Sequence, residues 1–200
     1  MTDFDVRALD AATWDGFAAL VAAHNGVFGG CWCMAFHAEG VGRGHTPADN
    51  RAAKEARVRD GRAHAALVHE GGACVGWCQY GPAGELPRIK RRKAYEEGGA
   101  TAPDWRVTCF FVARSHRRRG VADAALGGAL ELIAAAGGGV VESYPEDVAG
   151  RTVANAFLHN GTVALFERHG FARDRRIGKH HWVVRRVVGP APDQGVVHDR

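Results

Sequence analysis

Between Arg106 and Tyr144 the chain commits to one local plan. Arg106-Val107-Thr108-Cys109-Phe110-Phe111-Val112 is β-branched and aromatic, which predicts a strand. A basic turn from Arg114 to Arg119 ends on Gly120. Val121 to Ala136 then places Val121, Ala125, Leu126, Ala129, Leu130 and Ile133 at helical spacing. Gly137-Gly138-Gly139 stops that helix, and Val140 to Tyr144 reads as the next strand. A strand–loop–helix–strand unit requires a sheet with a helix laid across it. Gly127 and Gly128 each cost that helix about 1 kcal/mol against Ala, so close helix–sheet packing is expected there.

The rest of the chain reads around this unit. Phe4 to Leu9 alternates as a strand, and Asp10 is placed to cap a helix running to Ala23. A glycine- and aromatic-rich connection follows through Phe28-Gly29-Gly30-Cys31-Trp32-Cys33-Met34, and Pro47 to Arg59 reads as a helix. Ala63–His69 and Ala73–Tyr80 are strands joined at Glu70-Gly71-Gly72. Gly81 to Asp104 is polar and bounded by proline, a long loop of the kind that carries function. Thr162 to His169 is a helix stopped by Gly170, and Trp182 to Val188 is a last strand. The expectation is a single domain over 1–188 and a flexible tail over 189–200.

Composition narrows the classes. With 200 residues, 46% apolar and 24% charged, folding buries roughly 70% of the chain's surface, and collagen-like or disordered chains are excluded. No apolar run approaches the ~20 residues of a membrane span. The segment Met1-Thr2-Asp3-Phe4-Asp5 carries acid where a signal peptide carries base, so a cytoplasmic protein is expected. Five cysteines, an odd number, read as reduced thiols. A net charge of +4 does not demand nucleic acid.

The segment with chemistry in it is Arg117-Arg118-Arg119-Gly120-Val121-Ala122, an R-x-x-G-x-A loop opening a helix. Unpaired N–H groups and the helix dipole make such a start a pyrophosphate cradle. The alternative is an ordinary turn with solvated arginines. Cys31-Trp32-Cys33 with His37 offers only three soft ligands, at C-x-C spacing, so no metal is expected. Cys109 alternates to the core side, away from Thr108 and Phe110. His180-His181 has no obvious partner. The basic run Arg88-Ile89-Lys90-Arg91-Arg92-Lys93 reads as a solvated helix face or a nucleic-acid contact. Glu96-Glu97 and the lack of interleaved aromatics weigh against the latter.

On these residues the chain resembles the GNAT family of N-acetyltransferases. The strand Thr108–Val112 leads directly into Arg117-x-x-Gly120-x-Ala122, and Ala164-Leu165-Phe166-Glu167-Arg168-His169-Gly170-Phe171 resembles the family's late helix ending in Gly-Phe. The order of elements over about residues 3–188 agrees as well. The resemblance implies an α+β fold layered α/β/α. Its mixed, mostly antiparallel sheet is splayed between strands 4 and 5, with helices on both faces and acetyl-CoA in the gap.

The resemblance also assigns residues. Phe110, Phe111 and Val112 hold the acetyl and pantetheine arm. Arg117, Arg118, Arg119, Gly120, Val121 and Ala122 hold the pyrophosphate; by charge alone, the 88–93 run is a further alternative contact for the 3′-phosphate of CoA. Asn160, Thr162 and Phe166 lie near the pantetheine, although Thr162 also suits a helix cap. The family's usual strand-4 Glu is Arg106 here, and its usual late-helix Tyr is Phe166. Candidate replacements are Glu142 as base, or else a carboxylate paired with Arg, and Tyr144 as acid, or else a packing aromatic. Trp32, Glu85, Thr108 and Glu142 are candidates for the acceptor pocket, with Glu146 and Asp147 adding negative charge for an aminoglycoside-like or polyamine acceptor.

The implied activity is acetyl-CoA-dependent N-acetylation of a small amine by direct attack. Protein N-terminal or lysine acetylation, a CoA-binding regulatory module without turnover, and nucleic-acid binding are the alternatives. The expected partners are acetyl-CoA and an amine, with no membrane and no metal, in a monomer or homodimer.

Overall fold

The computed structural model describes residues 4–42, 44–99 and 101–192. The acidic start at Met1–Asp3 and residues 193–200 of the expected tail lie outside the described residues. Seven strands form one sheet: β1 (Asp5–Ala8), β2 (His64–Glu70), β3 (Ala73–Pro82), β4 (Trp105–Val112), β5 (Gly139–Ser143), β6 (Ala172–Arg176) and β7 (Trp182–Val188). Their order is β1-β2-β3-β4-β5-β7-β6, and every neighbouring pair is antiparallel except β4–β5. The exception follows from connectivity, because a helical crossover between two strands returns the chain parallel. That crossover is α4 (Val121–Ala135).

The remaining helices are α1 (Trp14–Ala22), α2 (Pro47–Arg59), α3 (Arg92–Glu97) and α5 (Val163–Arg168). On one face of the sheet, Trp14 and Phe17 of α1 and Val58 of α2 pack with Leu67, Trp77, Cys109 and Phe111. On the other, Leu126 and Ile133 of α4 and Phe166 of α5 pack with Ala66, Cys78, Val107 and Phe110. The expected α/β/α layering is therefore present.

Two features of β4 set up the site. Its pairing with β5 consists of Trp105↔Val141, Arg106↔Glu142 and Val107↔Ser143, and ends there. Beyond Val107 the two strands part, which is the expected splay. Opposite β3, Tyr80 pairs with Val107 and Gln79 with Cys109, leaving Thr108 as a bulge. The extra residue reverses the alternation. Val107 and Phe110 therefore share one core although they are an odd number apart, and Cys109 faces the other.

Four local readings are corrected. Helix α1 begins at Trp14, because Asp10 instead accepts the N–H groups of Ala12 and Thr13 at 2.8 and 2.9 Å and forms a turn. The 81–104 stretch contains α3, stabilised by an Arg92–Glu96 pair one turn apart. A 3₁₀ segment, Asn155–Asn160, precedes α5. Strand β6, Ala-Arg-Asp-Arg-Arg, has no apolar alternation to announce it. It is an edge strand with Arg173, Asp174 and Arg176 exposed and Arg175 packed over the Tyr95 ring.

The glycine pair in α4 divides. A Cβ on Gly128 would meet Val6 Cγ1 at 2.3 Å, so close packing against β1 requires glycine. A Cβ on Gly127 would touch only His169 Cε1, at 3.6 Å. Gly127→Ala is expected to stabilise the protein by up to about 1 kcal/mol through helix propensity. Gly128→Ala is expected to destabilise it by about 1–2 kcal/mol through overpacking. Urea midpoints of the two variants measure both, and equal shifts would contradict the packing argument.

Candidate functional site

Where β4 leaves β5, a groove of about 780 Å³ opens beside α4. Phe110, Phe111 and Val112 of β4 form one wall; Ala156, Leu158, Gly161 and Thr162 form the other. Arg117, Arg118 and the first turn of α4, Gly120 to Ala122, close one end. That turn contrasts with the starts of α2 and α5. Thr46 and Asp49 cap α2 reciprocally, and Thr162 caps α5 through the Leu165 N–H. No side chain caps α4. Gly120 has φ 87° and Arg118 φ 61°, so the backbone curls through two left-handed residues into the helix. The nearest atom to a Cβ on Gly120 would be Phe4 Cε2, at 4.0 Å. Open space, unpaired helix N–H groups and the dipole together make an anion seat.

Of the residues expected to hold acetyl-CoA, Phe110, Phe111, Val112, Arg117, Arg118, Gly120, Val121, Ala122 and Thr162 line this groove. Arg119, Asn160 and Phe166 do not. Arg119 pairs with Glu70 at 2.6 Å, on the carboxylate that His116 also meets at 3.0 Å. Asn160 is buried and donates from Nδ2 to the carbonyl of the bulged Thr108 at 2.6 Å, which pins the 3₁₀ segment across the splay. Phe166 is fully buried between Phe110 and Phe171, with ring centroids at 5.9 and 5.0 Å.

The candidate acid and base are not brought to the groove either. Glu142 on β5 is fully buried. Arg185 Nε reaches its Oε2 at 2.8 Å, and the Tyr144 hydroxyl donates to its Oε1 at 2.6 Å. Burial, reinforced by the Glu142 carboxylate, pushes the Tyr144 phenol well above its ordinary range. Arg106, at the family's Glu position, donates to the carbonyls of Leu86 and Ala83 at 2.8 and 3.2 Å and ties the 81–104 loop to the sheet.

The acceptor candidates scatter. Trp32 lies in the core, stacked on Trp14 at 6.2 Å beneath the guanidinium of Arg51. Thr108 is fully buried at the bulge. Glu85 meets His64 at 3.1 Å, Glu146 meets Arg151 at 3.1 Å and Asp147 meets Arg173 at 2.8 Å. Each acidic candidate thus has a basic partner.

Sequence reasoning missed Phe28, His116, Leu158, Gly161 and Arg168, which also line the groove. Phe28 was visible only as part of a glycine- and aromatic-rich connection. Its ring meets Phe111 edge-on at 6.2 Å and the His159 ring at 5.9 Å, and the Phe36 ring meets His159 at 6.4 Å. Lys90 Nζ is 2.7 Å from His159 Nε2. Among the described residues no three His, Cys, Asp or Glu side chains come together to hold a metal ion. No described helix is long and apolar enough to cross a membrane.

The buried Glu142–Arg185 pair predicts a stability effect. Glu142→Gln removes the closer of Arg185's two carboxylates, at 2.7 Å, leaves Asp174 at 3.8 Å, and is expected to cost about 3 kcal/mol. The double variant Glu142→Leu/Arg185→Met is expected to recover most of it. Guanidinium denaturation checks both, and a single-variant loss below about 1 kcal/mol would contradict the ion pair's role.

No family model and no curated protein matches the chain. Solved structures do. A Desulfovibrio desulfuricans protein described as an acetyltransferase of the GNAT family superposes with TM-score 0.53 at 15% identity, over 94% of this chain and 100% of its own. A mosquito arylalkylamine N-acetyltransferase-like protein gives 0.51 at 12% identity, over 92% of this chain and 100% of its own. A Corynebacterium glutamicum protein described as histone acetyltransferase HPA2 and related acetyltransferase gives 0.50 at 15% identity, over 97% and 99%. Likeness at this identity carries the fold. With the sheet parted beyond Val107 and the helix opened at Gly120, this chain has the GNAT fold.

Proposed function

We propose that the protein is an acetyl-CoA-dependent N-acetyltransferase of a small amine, and that residues 1–188 form its single domain. The observation that carries this reading is the uncapped, glycine-opened start of α4 at the end of a groove running along the unpaired half of β4. In this reading the N–H groups of Arg118 to Ala122 bind the pyrophosphate, and Arg117 and Arg118 add charge. The edge of Phe110 to Val112, which has no strand partner on the β5 side, hydrogen-bonds the pantetheine arm and aims the thioester into the splay. The amine attacks the acetyl carbonyl directly and the CoA sulfur leaves. A thiol of pKa about 8.5 is a tolerable leaving group, and holding the two reactants together supplies ~7–11 kcal/mol of the barrier reduction.

The lining supports one class of acceptor over another. An aminoglycoside or polyamine calls for carboxylates without partners, whereas Glu85, Glu142, Glu146 and Asp147 each face a base. Phe28, Phe110 and Phe111 line the groove instead, and the His159 ring packs against Phe28. This favours a primary amine on an apolar or aromatic body. A second reading, a CoA-binding module without turnover, draws on Arg106 and Phe166, which occupy structural roles where the family often has a base and an acid.

Two measurements test the proposal. Acetyl-CoA at one hundred times its Kd is expected to stabilise the fold by about 2.7 kcal/mol. Gly120→Glu, which puts bulk and negative charge in the anion seat, is expected to abolish that shift, and an unchanged affinity would refute the site. Thiol release from acetyl-CoA with a panel of arylalkyl amines, polyamines and aminoglycosides is expected with the first group. Binding without release under every acceptor would support the second reading.

A further inference from the structure

Resting on the acetyltransferase reading, we propose that Lys90 and His159, which lie beside Phe28 of the groove wall, form a proton-transfer pair that carries the proton from the attacking nitrogen to the departing sulfur. The two side chains come from distant parts of the chain. Lys90 lies in the loop between β3 and β4, and His159 in the 3₁₀ segment that Asn160 fastens to the β4 bulge. Their nitrogens are 2.7 Å apart. His159 Nδ1 is 3.2 Å from the Ala156 carbonyl, which fixes the hydrogen on Nδ1 and leaves the Nε2 lone pair toward Lys90. The imidazole packs against both Phe28 and Phe36, and Phe28 lines the groove against Phe111.

The pair therefore shares one proton: the Lys90 ammonium donates to neutral His159. Attack of the amine on the thioester forms a C–N bond and places a positive charge on nitrogen. Breaking the C–S bond sends its electron pair to sulfur. Lys90 gives its proton to that sulfur, its lone pair or that of His159 takes the proton from the new amide nitrogen, and the pair ends with the proton count it began with. No other acid or base is consumed. The usual late-helix phenol is replaced by buried Phe166, and the Tyr144 hydroxyl is committed to Glu142, so the pair fills a role those residues leave open.

The electrostatics agree with a singly protonated pair. Burial, then the Lys90 charge, lowers the His159 pKa from its ordinary 6.5; His181 adds to the lowering and Glu146 opposes it. Burial lowers the Lys90 ammonium, which makes it a better proton donor. The rate is expected to fall on the acid side as His159 becomes doubly protonated, below pH 6.5. Removing the Lys90 charge raises the His159 pKa, so that acid limb should move to higher pH.

The test uses wild-type protein, His159→Gln, Lys90→Met and Lys90→Arg, with acetyl-CoA and the amine that gives the fastest thiol release. Each variant is expected to lose about 10²-fold or more in kcat/KM while binding acetyl-CoA as wild type does. Lys90→Arg keeps the charge but cannot surrender a proton, so it should be as slow as Lys90→Met. NMR titration of His159 should show a higher pKa in Lys90→Met. Near-normal kcat/KM in His159→Gln or Lys90→Met, or restoration by Arg, would overturn the proton transfer while leaving the acetyltransferase intact. Absence of thiol release from wild-type protein with every amine would overturn both.

Discussion

The parting of β4 from β5 after the Val107–Ser143 pair is the constraint on which the rest of the molecule depends. A β-strand that loses its neighbour exposes a row of backbone donors and acceptors, normally a liability in a central strand. The chain surrounds the opening instead of closing it. Helix α4 begins beside it with no side-chain cap, and the 3₁₀ segment Asn155–Asn160 crosses it, tied by one side-chain amide to the Thr108 carbonyl. The bulge at Thr108 lets that carbonyl turn out of the ladder while returning Phe110 and Phe111 to opposite cores.

Buried polar groups hold the two halves of the sheet around this gap. Arg106 secures the 81–104 loop through two carbonyls, and directly opposite it on β5, Glu142 joins Arg185 on β7 and the Tyr144 hydroxyl. Arg185 also donates to the Thr101 carbonyl, linking the loop to the far side of the sheet. Removing one member of such a network exposes its partners to an uncompensated desolvation cost, so these residues are constrained by stability. Lys54 of α2 is buried, and its hydrogen-bond partners among the described residues are His37 and Gln79, at 3.3 and 3.4 Å. Burial and the Lys54 charge push the His37 imidazole down to about 2, so it stays neutral.

The positions at which a resemblance would place a base and an acid have become structural here. The arginine at 106 is a tether, and the phenylalanine at 166 is a packing ring between Phe110 and Phe171. Titratable groups gather elsewhere, at Lys90 and His159, where a loop and a 3₁₀ segment meet beside an aromatic wall.

The sequence by itself determined the parts that depend on short-range pattern. The spacing of the apolar residues marked α4 and most strands, and the Arg117–Ala122 loop marked the anion seat, because backbone curvature at Gly120 and a helix start are local properties. Alternation also placed Cys109 opposite Phe110. What tertiary structure alone decided were partners. Glu142 met Arg185 and Tyr144 only because β5 pairs with β7, and Arg119 met Glu70 across 49 residues of chain. Strand β6 exists because β7 offers it a ladder, which its own charged sequence does not announce. His159 and Lys90 lie 69 residues apart, one in a short 3₁₀ segment and the other in a loop, so no spacing rule connects them. Their contact arises from a long loop folding back over an opened sheet, a distance that only the packed chain can close.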